Sequence, residues 1–435
     1  VDMGVDEAQE QVPPPGVIYV DQDAEGANDG TSWDDAFTTL QPALDWAEEG
    51  VEIWVAEGTY TPTAEHGGSG DRYRSFQMAN GVEIYGGFDP SVGATGWGNR
   101  DWEAHPTILS GDLAGDDEAG FVNNEENSYH VFYHPEGTNL DSTAVLDGFT
   151  ITGGNANLYD ETQQSPHMYG GGMYNDDSSP SLTDCWIVAN WAYLGGGMHN
   201  LDSSPTLDSS TFSDNSVVTS GWSGPGGGML NMDGSSPMLT NCMFAGNSGG
   251  SGGGMHNSFS SSATLINCTF WGNSSAAGAG IDNWSSSPSL TNCTFAGNLA
   301  YSWGGAIANR QGSAPTLTNC ILWGNTPEEI YNDEGTSPSG PLVTYSNVQG
   351  GYEGEGNIDA YPWFADMHNG DFHLGPCSEC IDAGDDGAPD LPDYDFEGDD
   401  RILDGNGDAI AAVDMGVDEV AVAGTCSHVY LPLVL

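Results

Sequence analysis

The stretch DYDFEGDDRILDGNGD (393–408) packs oxygen donors at close spacing. Asp404, Asn406 and Asp408 alternate with Gly405 and Gly407. That x, x+2, x+4 rhythm lets a turning chain direct side-chain oxygens onto a hard cation. Asp395 and Asp399 lie just upstream and extend the set. Asp395, Asp399, Asp404, Asn406 and Asp408 are therefore the expected metal ligands, and Ca2+ the expected cofactor. The loop lacks the glycine at position six and the glutamate at position twelve of an EF-hand. The competing reading is an acidic, solvated turn. DQDAEGANDG (21–30) is a shorter stretch of the same kind.

Glycoside hydrolysis requires two carboxylates flanking one bond, about 5 Å or about 6.5–9.5 Å apart. Asp176 and Asp177 share a turn, and Asp184 and Asp208 come from neighbouring repeats. Solvated turn and cap positions account for all four. Lyase chemistry on a polyuronate needs a strong base and cationic groups to hold the substrate. The chain has no lysine and five arginines (Arg72, Arg74, Arg100, Arg310, Arg401), of which Arg310 alone lies in the repeats. The expectation is that the chain is not an enzyme. His199 and His256 occupy equivalent repeat positions, but Tyr174, Leu230, Asp282 and Ala308 fill the same position elsewhere, so the site tolerates variation. Trp191, Trp222, Trp271, Trp284 and Trp303 have faces suited to stacking on sugars, against a reading as loop packing.

Sixty-four acidic side chains against five basic ones give a net charge of −59. That charge repels nucleic acid and anionic membrane surfaces. It favours bound cations or a salty medium. No apolar run is long enough to span a bilayer. The sequence opens inside a motif, so Val1 is expected to be a processed end.

These residues must be positioned by the repeats that fill 170–325, beginning with GGGMYNDDSSPSLTDCWIVAN (170–190) and GGGMHNLDSSPTLDSSTFSDN (195–215). One column aligns Asn175, Asn200, Asn231, Asn257, Asn283 and Asn309. A second aligns Asn190, Asn215, Asn247, Asn273, Asn298 and Asn325, and a third Cys185, Ser210, Cys242, Cys268, Cys293 and Cys320. A period near 25 residues is too short for paired helices, and pieces such as TLINCTF alternate with period two. Short strands joined by Gly, Asn and Ser turns, one coil per repeat, predict an all-β parallel solenoid. Coils stacked about 4.8 Å apart place like residues above one another, which predicts Asn ladders and an interior Cys column. The irregular stretch 50–165 reads as earlier coils with insertions. Roughly a dozen coils make a rod about 60 Å long. The expected divisions are an N-terminal arm and Pro-rich linker (1–16), the solenoid (17–360), and an acidic cap with a hydrophobic tail (361–435).

The GGAI and FAGN, FWGN and FSDN tetrapeptides resemble the repeats of chlamydial polymorphic membrane proteins, which are surface adhesins. The flanks IYVDQDAEGANDGTSWDDAFTTLQPALDWA and DFEGDDRILDGNGDAIAAVDMGVDE resemble secreted bacterial β-helix proteins of the choice-of-anchor Q type. The wider fold is that of pectate lyases. The resemblance implies a right-handed, single-stranded parallel β-helix in a cell-surface or extracellular setting. It supplies no activity. Export makes a disulfide plausible among Cys377, Cys380 and Cys426, with Cys426 joining one of the other two.

VDMGVDE stands at 1–7 and again at 413–419. Val1, Met3 and Val5 alternate with acidic Asp2 and Asp6, as an amphipathic edge strand would, and Val413, Met415 and Val417 repeat the pattern. Solenoid ends expose unpaired backbone and uncovered core. The C-terminal copy is expected to close one end, and the N-terminal copy either to be the tail of a preceding module in a tandem array or to dock on a neighbouring subunit. The expected function is thus an extracellular structural protein that assembles head to tail with itself into filaments. The alternatives are a monomeric adhesin or glycan-binding β-helix and, last, a polysaccharide lyase or hydrolase.

Overall fold

The computed structural model describes residues 16–92, 98, 100–159, 165–217, 224–334 and 340–421. Val1, Asp2, Met3, Val5, Trp222 and Cys426 lie outside them. Three parallel sheets run along the solenoid; from Phe132 to Val348 each coil contributes one strand to each sheet, while the chain before Phe132 adds strands to two of them only. Sheet I has eight strands, from Phe132–His134 through Met173–Asp176 and Met198–Leu201 to Ile330–Asn332. Sheet II has eleven, from Val17–Val20 through Ser181–Thr183 to Leu342–Thr344. Sheet III has ten, from Gly58–Tyr60 through Phe149–Thr152, Trp186–Val188, Thr211–Ser213, Met243–Ala245, Thr269–Trp271 and Thr294–Ala296 to Ile321–Trp323 and Asn347–Val348. This is the parallel β-solenoid that the period predicts.

The corners follow from residue type. Between sheets II and III the chain turns at a single left-handed residue: Asp184, Ser209, Asn241, Asn267, Asn292 or Asn319, with φ of 49–57°. Asn and Asp tolerate that region better than other side chains. Inside, Phe212, Phe244, Phe270 and Phe295 stack with ring centroids 4.7 Å apart. The Cys column is buried, and Cys185, Cys242, Cys268, Cys293 and Cys320 are free thiols. They pack as small apolar groups.

Both Asn columns are ladders. Asn190, Asn215, Asn247, Asn273 and Asn298 each donate Nδ2 to the Oδ1 of the next, at 2.7–3.1 Å. Each also takes a backbone N–H from the coil before, as Asn247 Oδ1 does from Asn215 N at 3.1 Å. The ladder ends where Asn325 Nδ2 meets Glu329 Oε2 at 2.5 Å. The column begun by Asn175 lies within sheet I strands and is linked in the same way, through Asn309 to Asn332. A buried amide left without a partner would cost about 1–3 kcal/mol. One partner above and one below therefore fixes coil register.

At the first coil the helix Leu40–Trp46 sinks Leu40 and Ala43 into the main core. The C-terminal segment departs from expectation. After the antiparallel pair Phe364–Asp366 and Asp371–Leu374, residues 375–421 run along the side of the solenoid rather than over its end. The second VDMGVDE copy is no edge strand. Val413, Met415 and Val417 are buried, but so are Asp414, Asp418 and Glu419. Asn292 Nδ2 donates to the carbonyls of Asp414 and Gly416, and Gly416 N donates to Asn319 O at 2.7 Å. The corner Asn residues thus serve as docking points for this segment. Cys377 is disulfide-bonded, whereas Cys380 remains a buried free thiol that accepts from Asn347 Nδ2 at 3.1 Å. Among the described residues, no helix is long and apolar enough to cross a membrane.

Candidate functional site

Along sheet III, inward residues such as Ile151, Ile187 and Phe244 are buried throughout, while the outer face changes from coil to coil. Over the strands from Phe149–Thr152 to Met243–Ala245 it is open: Trp186 is 47 % exposed, and Thr150, Val188, Thr211, Ser213 and Ala245 are half-exposed. Insertions 100–106 and 112–126 rise on either side of this strip.

On one side lies a carboxylate group built from the II–III corners. Asp147, Asp184 and Asp208 come from three successive coils, set in register by the pairing of Thr183 with both Asp147 and Asp208. Insertion 100–106 brings Arg100 to them. Its guanidinium pairs with Asp147 and donates through Nε to Gly86 O at 2.7 Å. Gly148, at φ +78°, leaves room for this approach; any Cβ there would collide with Arg100. Burial pushes Asp184 up to about 6, reinforced by Asp147 and opposed by Arg100. Asp208 is raised as well, chiefly by burial. Trp102 and Trp186 meet edge to face at 6.0 Å. They line a cleft of about 300 Å³ with Glu103, Thr107, Gly148 and Thr150. Indole faces in a cleft whose acid is Glu103, with the carboxylate cluster behind its Gly148 wall, are suited to a sugar.

Across the strip, residues 117–121 overhang a larger cleft of about 590 Å³, floored by Thr152, Ala189, Ser216 and Ser248 with Asp214 at its edge. Phe121 stacks on Trp191 at 6.2 Å.

The structure therefore brings Asp184 and Asp208 together and leaves Asp176 and Asp177 on the I–II corner, where Asp176 accepts from Tyr174 Oη at 3.1 Å. His199 and His256 are separated by Leu230 in the sheet I register. His256 instead pairs with Asp282 at 2.8 Å, and Asp282 is fully buried between it and Arg310. Arg310 lies over Trp284 at 4.9 Å, and Trp271 packs on Phe372. Trp303 stacks on Tyr331. The loop oxygens at 395–408 serve backbone amides. Asp395 Oδ1 accepts from Glu397, Gly398 and Asp399, each at 2.9 Å. Asp404 accepts from Gly407 and Ala409, Asn406 from Asp408, and Asp408 from Ile410. No three of Asp395, Asp399, Asp404 and Asp408 converge as ligands of one ion. Arg100, Trp102 and Trp186 were not legible as site residues; the one available signal was an arginine flanked by tryptophans in an irregular insertion of an otherwise acidic chain.

A family model described as a right handed beta helix region matches residues 202–347. No curated protein matches the sequence. Among solved structures, pectate lyase Pel9A superposes with a TM-score of 0.50 at 14 % identity, over 93 % of this chain and 96 % of that one. A rhamnogalacturonan lyase gives 0.41 at 12 %, over 81 % and 91 %. The A-module of the Azotobacter vinelandii mannuronan C-5 epimerase AlgE4 gives 0.42 at 14 %, over 78 % and 89 %. At such identities the likeness is one of fold. It still corrects the expectation that the chain is not an enzyme, because the scaffold is shared with a pectate lyase. Missing lysines and net charge are no ground for excluding catalysis, since a site depends on local geometry rather than total charge. The chain is a right-handed parallel β-helix.

Proposed function

We propose that this is an extracellular β-helix protein that binds and acts on a polysaccharide along the open strip of sheet III, with Asp184 carrying the transferable proton. The observation behind this reading is the cluster of Asp147, Asp184 and Asp208 about Arg100, which flanks Gly148 together with Trp102 at the wall of the cleft that Trp102 and Trp186 line. A linear glycan is itself a repeat, and a face built of stacked coils offers it successive equivalent contacts. Arg100 is already paired with Asp147, and the groups around Asp184 are otherwise acidic, Asp208 and Glu103, so a neutral glycan suits the strip better than a polyuronate. Head-to-tail assembly through Val1, Met3 and Val5 rests on residues outside the described ones and is not used in this reading; the 413–419 segment is docked into its own flank.

Affinity electrophoresis in gels cast with neutral and with uronate polysaccharides, paired with a chain-shortening assay, tests the proposal. Retardation by a neutral polysaccharide should be lost in Trp186→Ala, and shortening lost in Asp184→Asn with binding retained. Wild-type protein that neither binds nor shortens any polymer of the panel, or activities indifferent to both substitutions, would reject it.

A further inference from the structure

Insertion 112–126 begins and ends on carboxylates. Asp112 follows the sheet III strand Thr107–Ser110, Asp117 stands in the loop, and Glu126 closes it. One oxygen from each lies within 4.8 Å of the others. That spacing suits a calcium ion, whose ligand oxygens sit about 2.3–2.6 Å from the metal. Asp112 already turns the loop, accepting from Gly115 N at 2.6 Å and Asp117 N at 3.1 Å. Among the described residues no salt bridge joins an arginine to the three carboxylates, and Arg72 feels Glu126 only through space. Arg72 is spent on the carbonyls of Asn127 and Asn155 and the side chain of Asn157.

Independent of the carboxylates, Asn127 is 1 % exposed, and its Oδ1 is buried without a hydrogen-bond donor. The same amide group donates through Nδ2 to Asp117 Oδ2 at 2.7 Å and to Gly153 O at 2.8 Å, so its orphan oxygen stands one amide width from the cluster. Glu126 Oε1 is likewise buried and without a donor. Buried acceptors of this kind cost folding free energy unless something satisfies them, and a cation satisfies acceptors alone.

We propose that Asp112, Asp117 and Glu126, with the side-chain oxygen of Asn127, hold a calcium ion that ties the two ends of loop 112–126 to the solenoid. Water would complete the six to eight oxygens that calcium takes. The ion would fix the wall that carries Phe121 over the larger cleft. The site is separate from the 395–408 loop and stands whether or not a glycan binds beside it.

The test is calorimetric titration of CaCl2 into chelator-treated full-length chain, with MgCl2 in parallel, alongside proteolysis of the loop with and without calcium. Asp117 is exposed and Glu126 half-buried, so D117N and E126Q should fold, as circular dichroism would verify. Calcium binding that D117N/E126Q weakens by at least about tenfold, that D404N/D408N retains, and that protects the loop from cleavage supports the site. Absence of calcium binding by the wild type overturns it, as does binding kept in D117N/E126Q or lost only in D404N/D408N. If the double variant misfolds, E126Q alone is judged by the same criterion.

Discussion

The two halves of sheet III share one interior and differ outside. Ala245, Trp271 and Ala296 occupy one column in successive coils. Ala245 is half-exposed on the open strip, whereas Ala296 is fully buried in a cluster with Phe372 and Val417. Thr294 and Ile321 are also at 0 % exposure. The cover is the C-terminal segment, held by Arg401, which is 1 % exposed. Arg401 donates to Asn267 Oδ1 at 2.7 Å and Gly416 O at 2.8 Å, and lies 3.6 Å from Glu419. Burial and Asp414 push Glu419 upward. A repeating scaffold is thus blank until insertions decide which face water reaches, and the face left open carries the carboxylates and tryptophans.

The sharpest way to break this comparison is the same substitution in both halves. Ala296→Asp, which buries an unpaired charge, should cost about 3–5 kcal/mol. Ala245→Asp, one column position on the open side, should stay within about 0.5 kcal/mol. Equal losses in denaturant unfolding would contradict the division. Next, Arg401→Met should destabilise the cover by about 3 kcal/mol, since it leaves Glu419 and its neighbours without their cation. Proteolysis should then cut within 385–421 while the coils stay protected.

Smaller effects follow pH. His373 is raised to about 9 by its hydrogen bonds to Asp371 and Glu397. A raised basic group stabilises most below its ordinary value of 6.5, and that contribution is lost as pH climbs through about 9. His373→Gln should therefore lower the unfolding midpoint at pH 6 and converge with wild type above pH 9. Smallest of all, Asp184 holds its proton up to about 6 against an ordinary 3.8, so stability falls as pH rises between those values. Asp184→Asn should flatten that slope in thermal scans.

The coil period, the two Asn ladders and the Cys column were legible because a solenoid places like residues in direct contact, so selection for stacking writes itself at fixed spacing. The corner residue one place before each Cys was not read, because it varies among Asp, Ser and Asn. What unites these residues is left-handed backbone rather than side-chain identity. Asp184 and Asp208 were visible as carboxylates of neighbouring repeats, but their partner Arg100 lies 84 residues before Asp184, in an insertion that follows no period. The 413–419 segment reads as an alternating strand, and yet Asp414 is buried with its carboxylate accepting from Asp382 N and Val420 N. Alternation foretold which apolar residues would be covered, but not that the acids between them would find donors.

The sequence by itself determined the rod: its strands, its turns and the vertical order of its interior, since these depend on contacts one repeat away. Only the tertiary structure decided which side of the rod is covered, and which acids meet an arginine, a tryptophan or each other. Those contacts join segments with no common period, and their energies arise from burial and charge that no local pattern encodes.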